Sequence, residues 1–118
     1  MAKRIVIPQM SWVHGNGHAA KVSSPISGNW GVYQGTMVGY KVVASDCNAV
    51  EVITLTLQDE DGDTIYTFAD TPAKNTTTVR MGLAIPLYQK ETVTIDPSAD
   101  AGGATTLTVN VVLYMIPD

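Results

Sequence analysis

Residues 105–116 constrain the fold more than any other stretch of the chain. Leu107, Val109, Val111, Leu113 and Met115 alternate there with Thr106, Thr108 and Asn110. A period of two is that of a pleated strand with one apolar face, so the run reads as a long strand laid against a core. From Val112 onward the opposite face also turns apolar, through Tyr114 and Ile116. That end is expected to be covered on both sides, by another layer of the protein or by a partner.

The rest of the chain agrees with a strand-built protein. Val and Thr each more than double Leu in number, and no segment repeats apolar residues at helical spacing over three turns. Residues 50–57 and 64–68 read as two strands. The acidic, Gly-containing stretch Gln58-Asp59-Glu60-Asp61-Gly62-Asp63 between them supplies turn hydrogen bonds and a positive-φ position, which predicts a β-hairpin. In the first of these strands the apolar parity moves from Val50 and Val52 to Ile53, Leu55 and Leu57, implying a bulge or burial on both faces. Further short strands are expected at 37–43, 83–88 and 91–95. Pro86, which cannot donate a ladder hydrogen bond, is expected on an edge or at a bulge. Residues 97–103 form a polar turn into the last strand.

Residues 5–13 hold one or two strands. Residues 14–35 are rich in Gly, Ser and Asn without a clear period, so 1–35 reads as a loop-rich or arm-like region. A length of 118 residues suits one core, and no linker or internal repeat divides it. The expected fold is a single all-β domain over 1–118. It is a two-layer antiparallel β-sandwich or jelly-roll-like barrel with an extended N-terminal arm.

Composition narrows the function. The chain is 45% hydrophobic and only 15% charged, below the roughly 25% of an average soluble domain. Such a surface suits a protein held in an assembly better than a free monomer. A net charge of −4 and seven basic residues scattered from Lys3 to Lys90 argue against nucleic-acid binding, which needs clustered cations. Lys3 and Arg4 precede only Ile5-Val6-Ile7 before Pro8, too short an apolar run for a signal peptide or a membrane helix. The chain is therefore expected to be made and used without crossing a membrane. Asn75-Thr76-Thr77, formally a glycosylation sequon, then reads as an ordinary polar loop.

The candidate chemical sites resolve toward plain structure. His14 and His18 lie four residues apart, but Gly15 and Gly17 disfavour the helix that would align them, and no acidic or Cys ligand is near in sequence. Asp59, Asp61 and Asp63 alternate as at the start of a calcium loop, yet Gly62 is out of place and no closing Glu follows. An acidic hairpin tip that keeps an edge soluble is the simpler reading. Cys47 has no partner for a disulfide, and no nucleophile signature surrounds it or any Ser. No catalytic activity, cofactor or metal is expected. Trp12, Trp30, Tyr33 and Tyr40 suit either a sugar-stacking platform or ordinary packing.

The hairpin stretch 53–67 runs Ile-Thr-Leu-Thr-Leu-Gln-Asp-Glu-Asp-Gly-Asp-Thr-Ile-Tyr-Thr. Together with Gly-Leu-Ala-Ile-Pro-Leu at 82–87, Val-Thr-Ile at 93–95 and Leu-Thr-Val-Asn-Val-Val-Leu-Tyr at 107–114, it resembles small β-rich structural proteins of tailed-phage virions. The likeness covers about the C-terminal half. It implies a head decoration, or cement, protein, which attaches to the outside of a capsid, joins adjacent major capsid subunits and strengthens the shell. The partners it implies are the major capsid protein and further copies of the chain, as a dimer or trimer, in a virion assembled from proteins made in the host cytoplasm. Ile5, Ile7, Met10 and Trp12 are the expected first interface segment, and Tyr114 and Ile116 the second. A neck, tail or fibre component and a small carbohydrate-binding module are the alternative roles.

Overall fold

The alternating C-terminal run becomes the hub of a sheet. The computed structural model describes residues 3–6, 10–13, 22–25, 34–46, 53–68, 75–88, 90–97 and 106–117. In it β9 (Thr106–Pro117) is flanked on one side by β1 (Lys3–Val6) and β2 (Met10–Val13), and on the other by β4 (Gly35–Ala44), beyond which lies β7 (Thr76–Leu87). A second sheet runs β3 (Val22–Pro25), β8 (Thr92–Pro97), β5 (Ile53–Gln58), β6 (Thr64–Thr67). Every ladder among the described strands is antiparallel.

β1 and β2 share one edge, because β1 pairs with 112–115 of β9 and β2 with 106–109. With those two counted as one strand, each sheet has four positions, and the order is that of an eight-stranded jelly roll. Among the described strands only β5 and β6 are neighbours both in sequence and in their sheet. The remaining ladders join segments far apart in the chain.

The core lies between the inner faces of the two sheets. Leu107, Val109, Val111, Leu113 and Met115 project inward from β9, and Ile53, Leu55 and Leu57 do so from β5, all fully buried. Tyr40, also fully buried, meets Phe68 with ring centroids 4.5 Å apart, and Phe68 in turn meets Tyr66 at 5.4 Å. These tilted aromatic contacts bridge the two sheets from β4 to β6 and the residue that follows it.

β4 contains the main irregularity. Its register against both neighbours shifts between Met37 and Gly39, so that Met37 points inward at one parity and Tyr40, Val42 and Ala44 at the other. Opposite this shift β7 inserts extra residues at Gly82, whose φ of 86° only glycine adopts freely. Beyond the bulge β4 is tied at its end by Ser45, whose N–H donates to the Thr108 carbonyl at 2.9 Å and whose hydroxyl accepts from the Thr108 N–H at 2.8 Å.

Several expectations are revised here. Asn75-Thr76-Thr77 is not a loop. Asn75 is a turn residue with φ 57° whose N–H donates to the Ser45 carbonyl, and Thr76 and Thr77 open β7 opposite Ala44 and Val43. The β-branched run favours the extended backbone once β4 supplies the ladder. β7 is therefore far longer than 83–88, and Pro86 sits on this edge strand, where no ladder N–H is needed on its outer side. Over 5–13, where one or two strands are expected, 3–6 and 10–13 are strands paired to β9, and 22–25, within the stretch read as loop-rich, is a strand paired to β8. The alternation of β5 is regular from Ile53 onward, and Val50 and Val52, where the parity change begins, lie outside the described residues.

Candidate interaction surface

The acidic hairpin tip is built for its own turn. Asp59 donates its N–H to the Asp63 carbonyl at 2.9 Å and accepts from Gly62 N–H at 3.1 Å, while its Oδ1 accepts the N–H groups of Asp61 and Asp63, each at 3.0 Å. Gly62 takes φ 86°. One carboxylate oxygen is thus spent on the backbone, as in other Asx turns. Among the described residues no group of three or more His, Cys, Asp or Glu side chains gathers to hold a metal ion. Replacing Asp59 by alanine is expected to cost about 1 kcal/mol by removing an acceptor shared by two backbone donors. Asparagine, which keeps an oxygen at that position, should cost less than half as much. Urea denaturation of the two variants checks the difference.

The outer faces of the two sheets differ in chemistry. On the second sheet, Thr56, Gln58, Thr92 and Thr94 form a polar lattice in which Gln58 Nε2 donates to Thr56 and Gln58 Oε1 accepts from Thr94 Oγ1 at 2.6 Å. On the first sheet the outer face carries a group of apolar side chains beside Lys41, Thr77, Thr108 and Asn110. Val79 and Met81 of β7 are 57% and 55% exposed, and Ile116 of β9 is 44% exposed. The register sets Val79, Lys41 and Val112 in one row across β7, β4 and β9, and Met81, Gly39 and Tyr114 in the next. Met81 lies over Gly39, since a Cβ there would collide with its Sδ. Met81 therefore spans toward β9 and joins the two apolar edges of this face.

A cleft of about 480 Å³ opens between β6 and β7, the last strands of the two sheets. Ile65, Ala84, Ile85, Pro86 and Tyr88 give it apolar walls, and Asp59 and Glu91 supply its carboxylates. Ile65 is 41% and Tyr88 61% exposed at its rim, whereas Glu91 is 3% exposed. Both carboxylate oxygens of Glu91 lie 3.0 Å from the Tyr88 N–H, which closes the β7–β8 connection. Sequence reasoning passed over Glu91. A single acidic residue in a polar stretch carries no periodic signal, and its burial follows from the meeting of three strands.

Of the residues expected at an interface, Tyr114 and Ile116 are placed on the outer face of β9, the first half-buried and the second exposed. On this outer face Val112 is buried and Ile116 is exposed, so the cover that the described residues themselves give to the strand end thins past Val112. Ile5, Met10 and Trp12 take register positions opposite Leu113, Val109 and Leu107 of β9. Ile7 lies outside the described residues, as do His14, His18, Trp30, Tyr33 and Cys47. Tyr40 is fully buried in the core, so it cannot present a ring face to a sugar. No described helix is long and apolar enough to cross a membrane.

No protein-family model matches the chain, and neither does any curated protein. Among solved structures, a chain of the capsid asymmetric unit of cyanophage Pam1 is similar, with a TM-score of 0.58 and 20% identity over 98% of this chain and 85% of that one. The Gx strain of infectious bursal disease virus matches over 97% of this chain and 31% of that chain, with a TM-score of 0.42 and 13% identity. The SPBc2 prophage-derived protein YomS matches with a TM-score of 0.35 and 11% identity, over 92% and 94%. At these identities the likeness is one of fold, and the all-β, two-sheet architecture is shared with the first of them.

Proposed function

We propose that the chain is a structural protein of a phage virion, a jelly-roll unit that attaches to the outside of the capsid and holds neighbouring major capsid subunits together. The observation that carries this reading is the apolar outer face of the first sheet, where Val79, Met81 and Ile116 stand exposed on a chain with little charge elsewhere. Covering each of these side chains contributes about 1 kcal/mol, so one copy binds modestly, and an oligomer engaging several lattice sites at once binds firmly. The fold likeness to a chain of a phage capsid unit, over 98% of this chain and 85% of that one, supports the same setting. In this reading the protein works as a dimer or trimer in the virion, without catalytic activity, after synthesis in the host cytoplasm.

The test is reattachment. Shells stripped of the protein are incubated with the purified chain, whose oligomeric state is measured by light scattering, and imaged by electron cryomicroscopy. Regular density over the lattice is expected, together with at least tenfold weaker attachment of the variant carrying Val79→Asp and Met81→Asp. Density confined to the neck or tail replaces the decoration role with that of a neck or tail component. A chain that never binds shells removes the reading.

A further inference from the structure

Among the described residues Glu91 is the only charged side chain that is buried, and its surroundings leave it incompletely matched. A carboxylate offers about four acceptor positions. Among the described residues a single donor, the Tyr88 N–H, serves both oxygens. Lys90, the adjacent cation, turns to Glu60 instead, with Nζ 3.2 Å from Oε2. No cation among the described residues reaches Glu91. A buried charge without a counter-charge is costly, so the site favours a positive group arriving from outside.

The walls specify what carries that charge. Ile65, Ile85 and Tyr88 are apolar and line the approach to Glu91, which suits a cation on an aliphatic stem. A volume of about 480 Å³ takes one long side chain with its adjoining backbone. On either side stand β6 and β7, each paired along one side only among the described strands, so an extended backbone can lie beside them. We infer that the cleft between β6 and β7 receives a lysine or arginine side chain presented by an extended segment of another protein, with Glu91 as its counter-charge. The inference does not depend on attachment to a capsid.

The test uses the isotope-labelled full chain in a nuclear magnetic resonance titration. The probes are the blocked peptide Thr-Val-Arg-Val-Thr, its counterpart with citrulline in place of arginine, and butylguanidinium alone. The arginine peptide is expected to shift the Tyr88 and Glu91 amide signals and to bind at least tenfold more tightly than the citrulline peptide and than butylguanidinium. Glu91→Gln is expected to abolish the preference for arginine. Ala84→Trp, a change at an exposed wall position, is expected to block the cleft while leaving the remaining spectrum unaltered, and it decides the matter should Glu91→Gln not fold. Equal binding of both peptides, an arginine preference that persists in Glu91→Gln, or unchanged arginine-peptide binding by Ala84→Trp would each overturn the inference. Butylguanidinium binding as tightly as the peptide overturns the role of the extended segment.

Discussion

Replacing Gly39 by alanine is expected to destabilise the protein by about 2 kcal/mol, and replacing it by valine by about 3 kcal/mol or more, although glycine in a strand is ordinarily a weak choice. The reason is space. A Cβ at this position would lie 2.5 Å from the Arg80 carbonyl oxygen and 3.1 Å from Met81 Cα, besides meeting Met81 Sδ. The thioether can swing away, but the β7 backbone cannot without breaking its pairing with β4. A cycle with Met81→Ala separates the two causes. The alanine substitution should cost nearly as much in that background, because the carbonyl clash remains. Urea denaturation with an unchanged slope reads the effect. A cost below about 0.5 kcal/mol for Gly39→Ala, the range of an ordinary surface change, would show that the two strands are not held at this distance.

Tyr40→Ala should have the largest effect of any single substitution among the described core residues, about 4 kcal/mol. Tyr40 is the largest fully buried side chain among the described residues, and its ring contacts Phe68 across the gap between the sheets. Truncation leaves a void bounded by both sheets, which neither can fill without giving up its own register. Against a typical domain stability of about 5–15 kcal/mol, such a loss brings the chain close to unfolding at room temperature. Tyr40→Phe keeps the ring and should cost about 1 kcal/mol or less. Thermal melts of both variants, followed by far-ultraviolet circular dichroism, test the contrast. Similar melting temperatures for the two would mean that ring packing does not hold the sheets together.

These two positions also mark where reading the sequence succeeds and where it stops. Alternation exposed the inward residues of β9 and of β5 from Ile53 onward, because side-chain parity along a strand is a local property. The hairpin was legible for the same reason. Asp59 and Gly62 set the turn through hydrogen bonds and a φ angle contained within six residues. Tyr40, by contrast, suited a sugar platform or, as the commoner case, a protein interface or a core, and its own sequence did not separate them. Only the bulge after Met37, which reverses the parity of β4, turns it inward.

The remaining features depend on neighbours brought from far along the chain. Thr76 and Thr77 read as loop until β4 lies beside them, and the four-residue strand β3 is too short to announce itself without β8, whereas β1 and β2 fall in or beside the stretch 5–13 already read as one or two strands. The candidate sites follow the same division. Tyr114 and Ile116 could be named from the apolar second face of one strand, whereas Val79 and Met81 joined them only through the register of β7. Glu91 became notable only when the edges of two sheets enclosed it. The sequence by itself determined the strand class, the inner faces and the hairpin, since these follow from alternation and turn chemistry within a few residues. The tertiary structure alone decided the jelly-roll order, the close approach at Gly39 and the cleft around Glu91, since each requires contact between segments that sequence distance keeps apart.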